Sequence, residues 1–115
     1  MERGSETEFS CIDPNGIVIS CSEQSWTHLT KHNEMIGQQG IIKAVLESPD
    51  FINRDANHKK WNNYYKLLVL PQIGSTYVRV TVQRPRLIGR KRGYVITGHA
   101  CNGEKKGEVR LWSKK

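Results

Sequence analysis

Tyr77-Val-Arg-Val-Thr-Val-Gln83 alternates without a break. Val78, Val80 and Val82 fall on one side, and Tyr77, Arg79, Thr81 and Gln83 on the other. Side chains of an extended chain point to opposite faces in turn, so this stretch predicts a strand with one apolar face and one polar face. Such a strand needs a covering layer over its valines and partners along both edges. Tyr64–Leu70, ended by Pro71 and a turn near Gly74, predicts one partner. Tyr94–Ala100 predicts another, and Gly107–Trp112 a last strand after a turn around Asn102-Gly103. Arg84–Gly93 reads as a basic connecting loop.

The covering layer is expected from the first half of the chain. Glu8–Cys11 and Ile17–Cys21 are short β-prone runs flanking Asp13-Pro-Asn-Gly16, four turn formers in a row, which predicts a hairpin. Ser20 or Ser22 stands where an N-cap belongs, and a helix follows to about residues 31–33. Ile41, Ile42, Val45 and Leu46 recur at helical spacing before Pro49 stops that helix. Residues 50–53 read as a short extended piece and residues 54–60 as a polar loop. The expected fold class is α+β: an N-terminal hairpin and two helices packed on a mostly antiparallel sheet of about four strands. Residues 1–7 are expected to form a flexible N-terminus, and residues 8–115 a single domain.

No run of about eighteen apolar residues occurs, and the first residues carry no signal-peptide core, so a soluble cytoplasmic protein with no membrane partner is expected. Cys11, Cys21 and Cys101 are an odd set without a close-spaced pair, which suits a reducing compartment. The net charge of +7 is unevenly spread. Residues 1–78 hold seven Lys/Arg and nine Asp/Glu, whereas residues 79–115 hold eleven and two. A basic final third points to a polyanion or an acidic protein as partner. Arg79, Arg84, Arg86, Arg90, Lys91 and Arg92 are the expected phosphate contacts, which position a backbone without reading bases.

His28 and His32 lie four residues apart on the first predicted helix, a spacing that puts both on one face. Paired histidines on a short helix are often only a solvated face, but they also suit proton transfer near neutral pH. A polar sheet face carrying Arg79, Thr81, Thr97 and His99, with Val95 on the same side as the last two, would offer cations, imidazoles and hydroxyls. Carboxylates are scattered, so clustered ligands for magnesium are not expected. The same inventory suits RNA cleavage without metal or cofactor. A base frees the 2′-oxygen to attack phosphorus, an acid protonates the departing 5′-oxygen, and cations offset the growing charge. Zinc is disfavoured: nine residues separate Cys11 from Cys21, and the glutamate of a His-Glu-x-x-His helix is missing.

Trp26-x-His28-Leu29, His32-x-Glu34, Ser48-Pro49-Asp50-Phe51-Ile52, Tyr64-Tyr65-Lys66, Val78-x-Val80-x-Val82 and Val95-Ile96-Thr97 together resemble the phage-encoded BECR-type (barnase–EndoU–colicin–RelE-like) nucleases. The match runs over residues 8–112. The resemblance implies a metal-independent endoribonuclease, a toxin or mobile-element effector, with N-terminal helices, a four-stranded antiparallel sheet and RNA bound on its concave face. It points to His28 and His32 on the helix, Tyr65 and Lys66 on the first central strand and Thr97 on the last as catalytic residues. His28 is read as base and His32 as acid, an order the sequence does not fix. Gly98-His99 departs from the family, where Ala followed by Tyr or Phe is common, so His99 is either an extra proton carrier or a stacking substitute. Glu34 either orients His32 or is a helix-end surface carboxylate. An acidic antitoxin or inhibitor is the expected protein partner. The alternative is a nucleic-acid-binding module of the same fold without chemistry.

Overall fold

A computed structural model describes residues 6–32, 39–71, 73–85 and 92–115. The expected α+β fold with about four strands is corrected. Among the described residues the chain is mostly sheet, with seven strands in one mixed sheet and two helices of 10 and nine residues. In chain order these are β1 (Thr7–Ile12), β2 (Val18–Ser22), α1 (Glu23–His32), α2 (Gln39–Glu47), β3 (Phe51–Arg54), β4 (Trp61–Leu70), β5 (Gly74–Gln83), β6 (Arg92–Cys101) and β7 (Val109–Ser113). Across the sheet the order is β1-β2-β6-β5-β4-β3-β7. Residues 1–5 of the expected flexible terminus lie outside the described residues, while Thr7 already pairs with Ser22.

Two pairings enlarge the sheet beyond the expected four strands. The β1–β2 hairpin joins through a parallel contact, Val18–Ser20 of β2 against Arg92–Tyr94 of β6. At the other end, β3 inserts between β4 and β7. Both are contacts between distant parts of the chain, which local periodicity does not encode.

Local chemistry explains the elements. Asp13 Oδ1 accepts the N–H groups of Asn15 and Ile17, each at 2.9 Å, and Gly16 takes φ 82°, which closes the hairpin turn. Ser22 caps α1 by accepting the Ser25 N–H at 3.1 Å. One sheet face is the core. Leu29 of α1, Ile42, Val45 and Leu46 of α2, and Ile52, Tyr64, Val78, Val80, Val82 and Val95 of the sheet form a single buried cluster. The Tyr64 hydroxyl is satisfied by Asp13 Oδ2 at 2.6 Å. Among the described residues, no helix is long and apolar enough to cross a membrane.

Candidate functional site on the helix-free face

The opposite face carries the odd-numbered residues of β4 and β5 and their partners. Phe51 pairs with Tyr65, Tyr65 with Arg79, and Arg79 with His99. One row along, Asn53 pairs with Asn63, Asn63 with Thr81, and Thr81 with Thr97. Thr97 and His99 reach this face because of a bulge. The register steps from Thr81–Thr97 to Val82–Val95, so Ile96 is the extra residue. Val95 therefore turns into the core, 2% exposed, instead of sharing a side with Thr97 and His99. The Thr97 hydroxyl and His99 Nε2 lie 3.2 Å apart.

The loop between β6 and β7 folds over part of this face and delivers Glu104 and Glu108. Glu108 accepts the Tyr65 hydroxyl, the Asn53 amide at 2.9 Å and a very short bond from the Asn63 amide. Glu104 accepts the same Asn53 amide at 2.7 Å and pairs with Arg110 at 2.9 Å. Asp55 accepts the Asn63 amide at 2.9 Å, and Thr81 donates to Asn63 Oδ1 at 2.7 Å. Asn53 and Asn63 are fully buried, and these carboxylates supply the acceptors that buried amides require.

The electrostatics follow the packing. Burial first, then the bond to Glu108, pushes the Tyr65 phenol well above its ordinary range, with Arg79 opposing the shift. The phenol therefore stays protonated near neutral pH. Burial alone would raise Asp55. The Asn63 amide, the Asn57 and His58 N–H groups and the charge of Lys105 outweigh it and hold the carboxyl below its usual value. Among the described residues no three His, Cys, Asp or Glu side chains gather as a metal site.

The expected site residues separate. Tyr65, Thr97 and Arg79 share the helix-free face with His99. Lys66 points the other way, since successive strand residues face opposite sides, and its ammonium donates to the Ser48 carbonyl at 2.6 Å. It anchors the chain just after α2. His28 is exposed on α1, whose most extensive contacts are with β6, the strand of Thr97 and His99. His32 ends α1, and its side chain lies outside the described residues, as do Glu34, Arg86, Arg90 and Lys91. Arg92 donates to Ser20 Oγ at 2.7 Å and so ties β6 to β2. Arg84 Nε is buried without a hydrogen-bond partner.

Sequence reading missed Glu108, Asn53 and Asn63. A usable signal was present in Trp61-Asn-Asn-Tyr64, because asparagine is a poor strand former and a pair of them inside a strand needs a reason. No family model, curated protein or solved structure matches this chain.

Proposed function

We propose that this chain is a metal-independent endoribonuclease whose working surface is the helix-free sheet face. The observation that carries the reading is the row Tyr65–Arg79–His99, which aligns a phenol, a guanidinium and an imidazole on three adjacent strands. In this reading His99 takes the proton from the ribose 2′-hydroxyl as that oxygen attacks phosphorus, and a water molecule gives a proton to the departing 5′-oxygen. His28 is carried by α1, which packs on the opposite face of the sheet. Arg79 offsets the charge that builds on the non-bridging oxygens. The products are a 2′,3′-cyclic phosphate and a free 5′-hydroxyl. DNA, without the 2′-hydroxyl, binds but is not cut.

The basic final third supports an acidic inhibitor protein as a second partner, as expected of a toxin or phage effector. Cytoplasmic location completes the proposal. Cys11, Cys21 and Cys101 are all unpaired, and burial pushes the first two thiols up to about 11 and about 12.

The test is incubation of mixed RNA in excess EDTA with wild type, His99→Ala, His28→Ala and Arg79→Ala, and mapping of the ends. Cyclic phosphate ends, with the rate lowered about a hundredfold or more by loss of His99 and little changed by loss of His28, are the expected result. Intact RNA with the wild type overturns the reading. A nucleic-acid binder without chemistry is the second reading. It is favoured by the commitment of the Tyr65 hydroxyl and Glu108 to each other, which leaves neither to move a proton.

A further inference from the structure

Trp61, Gln83 and Tyr94 stand side by side at one end of the helix-free face. Trp61 pairs with Gln83 across β4 and β5, and Gln83 with Tyr94 across β5 and β6. Tyr94 is 51% exposed, and Trp61 and Gln83 are half-buried. An aromatic ring left this open on a pleated face contributes little to folding, because its apolar surface is still in water.

The loop before β4 builds the Trp61 side deliberately. Asp55 Oδ2 accepts the N–H groups of Asn57 and His58 at 3.0 and 3.1 Å, and the Trp61 N–H donates to the His58 carbonyl at 3.0 Å. This turn lays the His58 ring on the indole, with centroids 3.8 Å apart and planes 18° from parallel. One indole face is thus covered by protein and its orientation is set. Around the row the charge is positive. Lys59 and Lys60 are exposed, and the Arg84 backbone N–H donates to the Lys60 carbonyl at 2.8 Å, which places residue 84 at the same edge.

We propose that Trp61, Gln83 and Tyr94 form a nucleobase subsite for single-stranded RNA. Two strand spacings, roughly 10 Å, separate the Trp61 and Tyr94 backbones, so each ring offers its own stacking platform. The Gln83 amide between them presents both a donor and an acceptor and reads a base edge. Lys59, Lys60 and Arg84 hold the phosphates. A duplex is excluded because its bases are already stacked on one another, whereas unpaired bases are free to splay onto aromatic rings. Charge argues against a protein occupant of apolar character, since three cations rim the row. The subsite rests on the nuclease reading only for the identity of the strand as RNA, and it places bases a few residues along the sheet from Arg79 and His99.

The experiment is fluorescence anisotropy with short single-stranded RNA methylated at every 2′-oxygen, which binds without being cut, run beside cleavage of unmodified RNA. Trp61→Ala and Tyr94→Ala are each expected to weaken binding about tenfold with the salt dependence unchanged. Lys60→Ala instead lowers the salt slope by roughly one. Trp61→Phe keeps most of the affinity, which separates loss of a ring from loss of folding. Gln83→Ala is expected to level the preference among the four homopolymers. Unchanged affinity in both alanine variants overturns the subsite, even where the wild type cuts RNA. Ring-dependent binding with no cutting of unmodified RNA supports the subsite and overturns the nuclease. Failure of the wild type to bind overturns the subsite outright.

Discussion

The Tyr65 hydroxyl lies 2.8 and 2.9 Å from the two carboxylate oxygens of Glu108, joining the middle of β4 to the loop that precedes β7. The same carboxylate takes the buried amides of Asn53 and Asn63, so a single side chain of that loop holds β3 and β4 together on the helix-free face. Tyr65→Phe keeps the ring, its stack on Phe51 at 4.8 Å and the core, and removes only the hydroxyl. Glu108 then loses its phenolic donor. We expect a loss of about 1–3 kcal/mol, the range for depriving a charged acceptor of a partner, read as a lower urea midpoint at constant slope. An unchanged midpoint would mean that water replaces the phenol at no cost.

Acid should act on Asp55 and, through it, on the Trp61 platform. The folded carboxyl lies below its ordinary value of 3.8. Its contribution to stability is therefore present above that value and is lost as pH falls through the lower, folded one. Protonation weakens the bonds that position Asn57 and His58, and the His58–Trp61 stack should loosen with them. Tryptophan fluorescence followed from pH 7 down to about pH 2 is expected to change in this window, where carboxylates titrate. In Asp55→Asn the change should be smaller and its midpoint displaced. Superimposable titrations of the two proteins would rule the loop out as the acid-sensitive element.

Much of the local structure was legible because it obeys short-range rules. The alternation of Val78, Val80 and Val82 marked β5, Asp13-Pro-Asn-Gly16 marked the β1–β2 turn, and Ile42, Val45 and Leu46 marked the inner stripe of α2. What was not legible is pairing between distant segments. Nothing in Val18–Ser20 announces a parallel partner in Arg92–Tyr94, and nothing in Phe51–Arg54 announces that it will sit between β4 and β7. The site shows the same division. Arg79 on the polar side of β5 follows from period two, whereas the bulge that turns Val95 inward, and the arrival of Glu108 over Tyr65, depend on loops whose course the residues alone leave open. A lone cation in an apolar strand needs an explanation, and for Lys66 the structure offers the Ser48 carbonyl, a neighbour that the sequence does not reveal.

Gly93 is where the hairpin, β6 and the proposed base subsite meet. It pairs with Ile19 in the parallel contact and immediately precedes Tyr94. A Cβ there would stand 2.8 Å from Val82 Cγ1 and 3.0 Å from the Gln83 carbonyl oxygen, and the second of these is backbone that cannot swing aside. Gly93→Ala should therefore push β6 away from β5 at the Gln83–Tyr94 pair. We expect a stability loss of about 1–3 kcal/mol, as for other overpacked interiors, together with weaker binding of the methylated RNA probe. Gly40→Ala is the matched control. That residue lies in the first turn of α2 with nothing within 4 Å of a new Cβ, and alanine there should stabilise by about 0.5–1 kcal/mol because it restricts the unfolded chain and favours helix. Opposite signs for one and the same substitution, measured by urea denaturation, would show that close strand approach decides the outcome at Gly93. Equal effects would mean that the sheet relaxes around the methyl group and that the β5–β6 spacing does not position Tyr94.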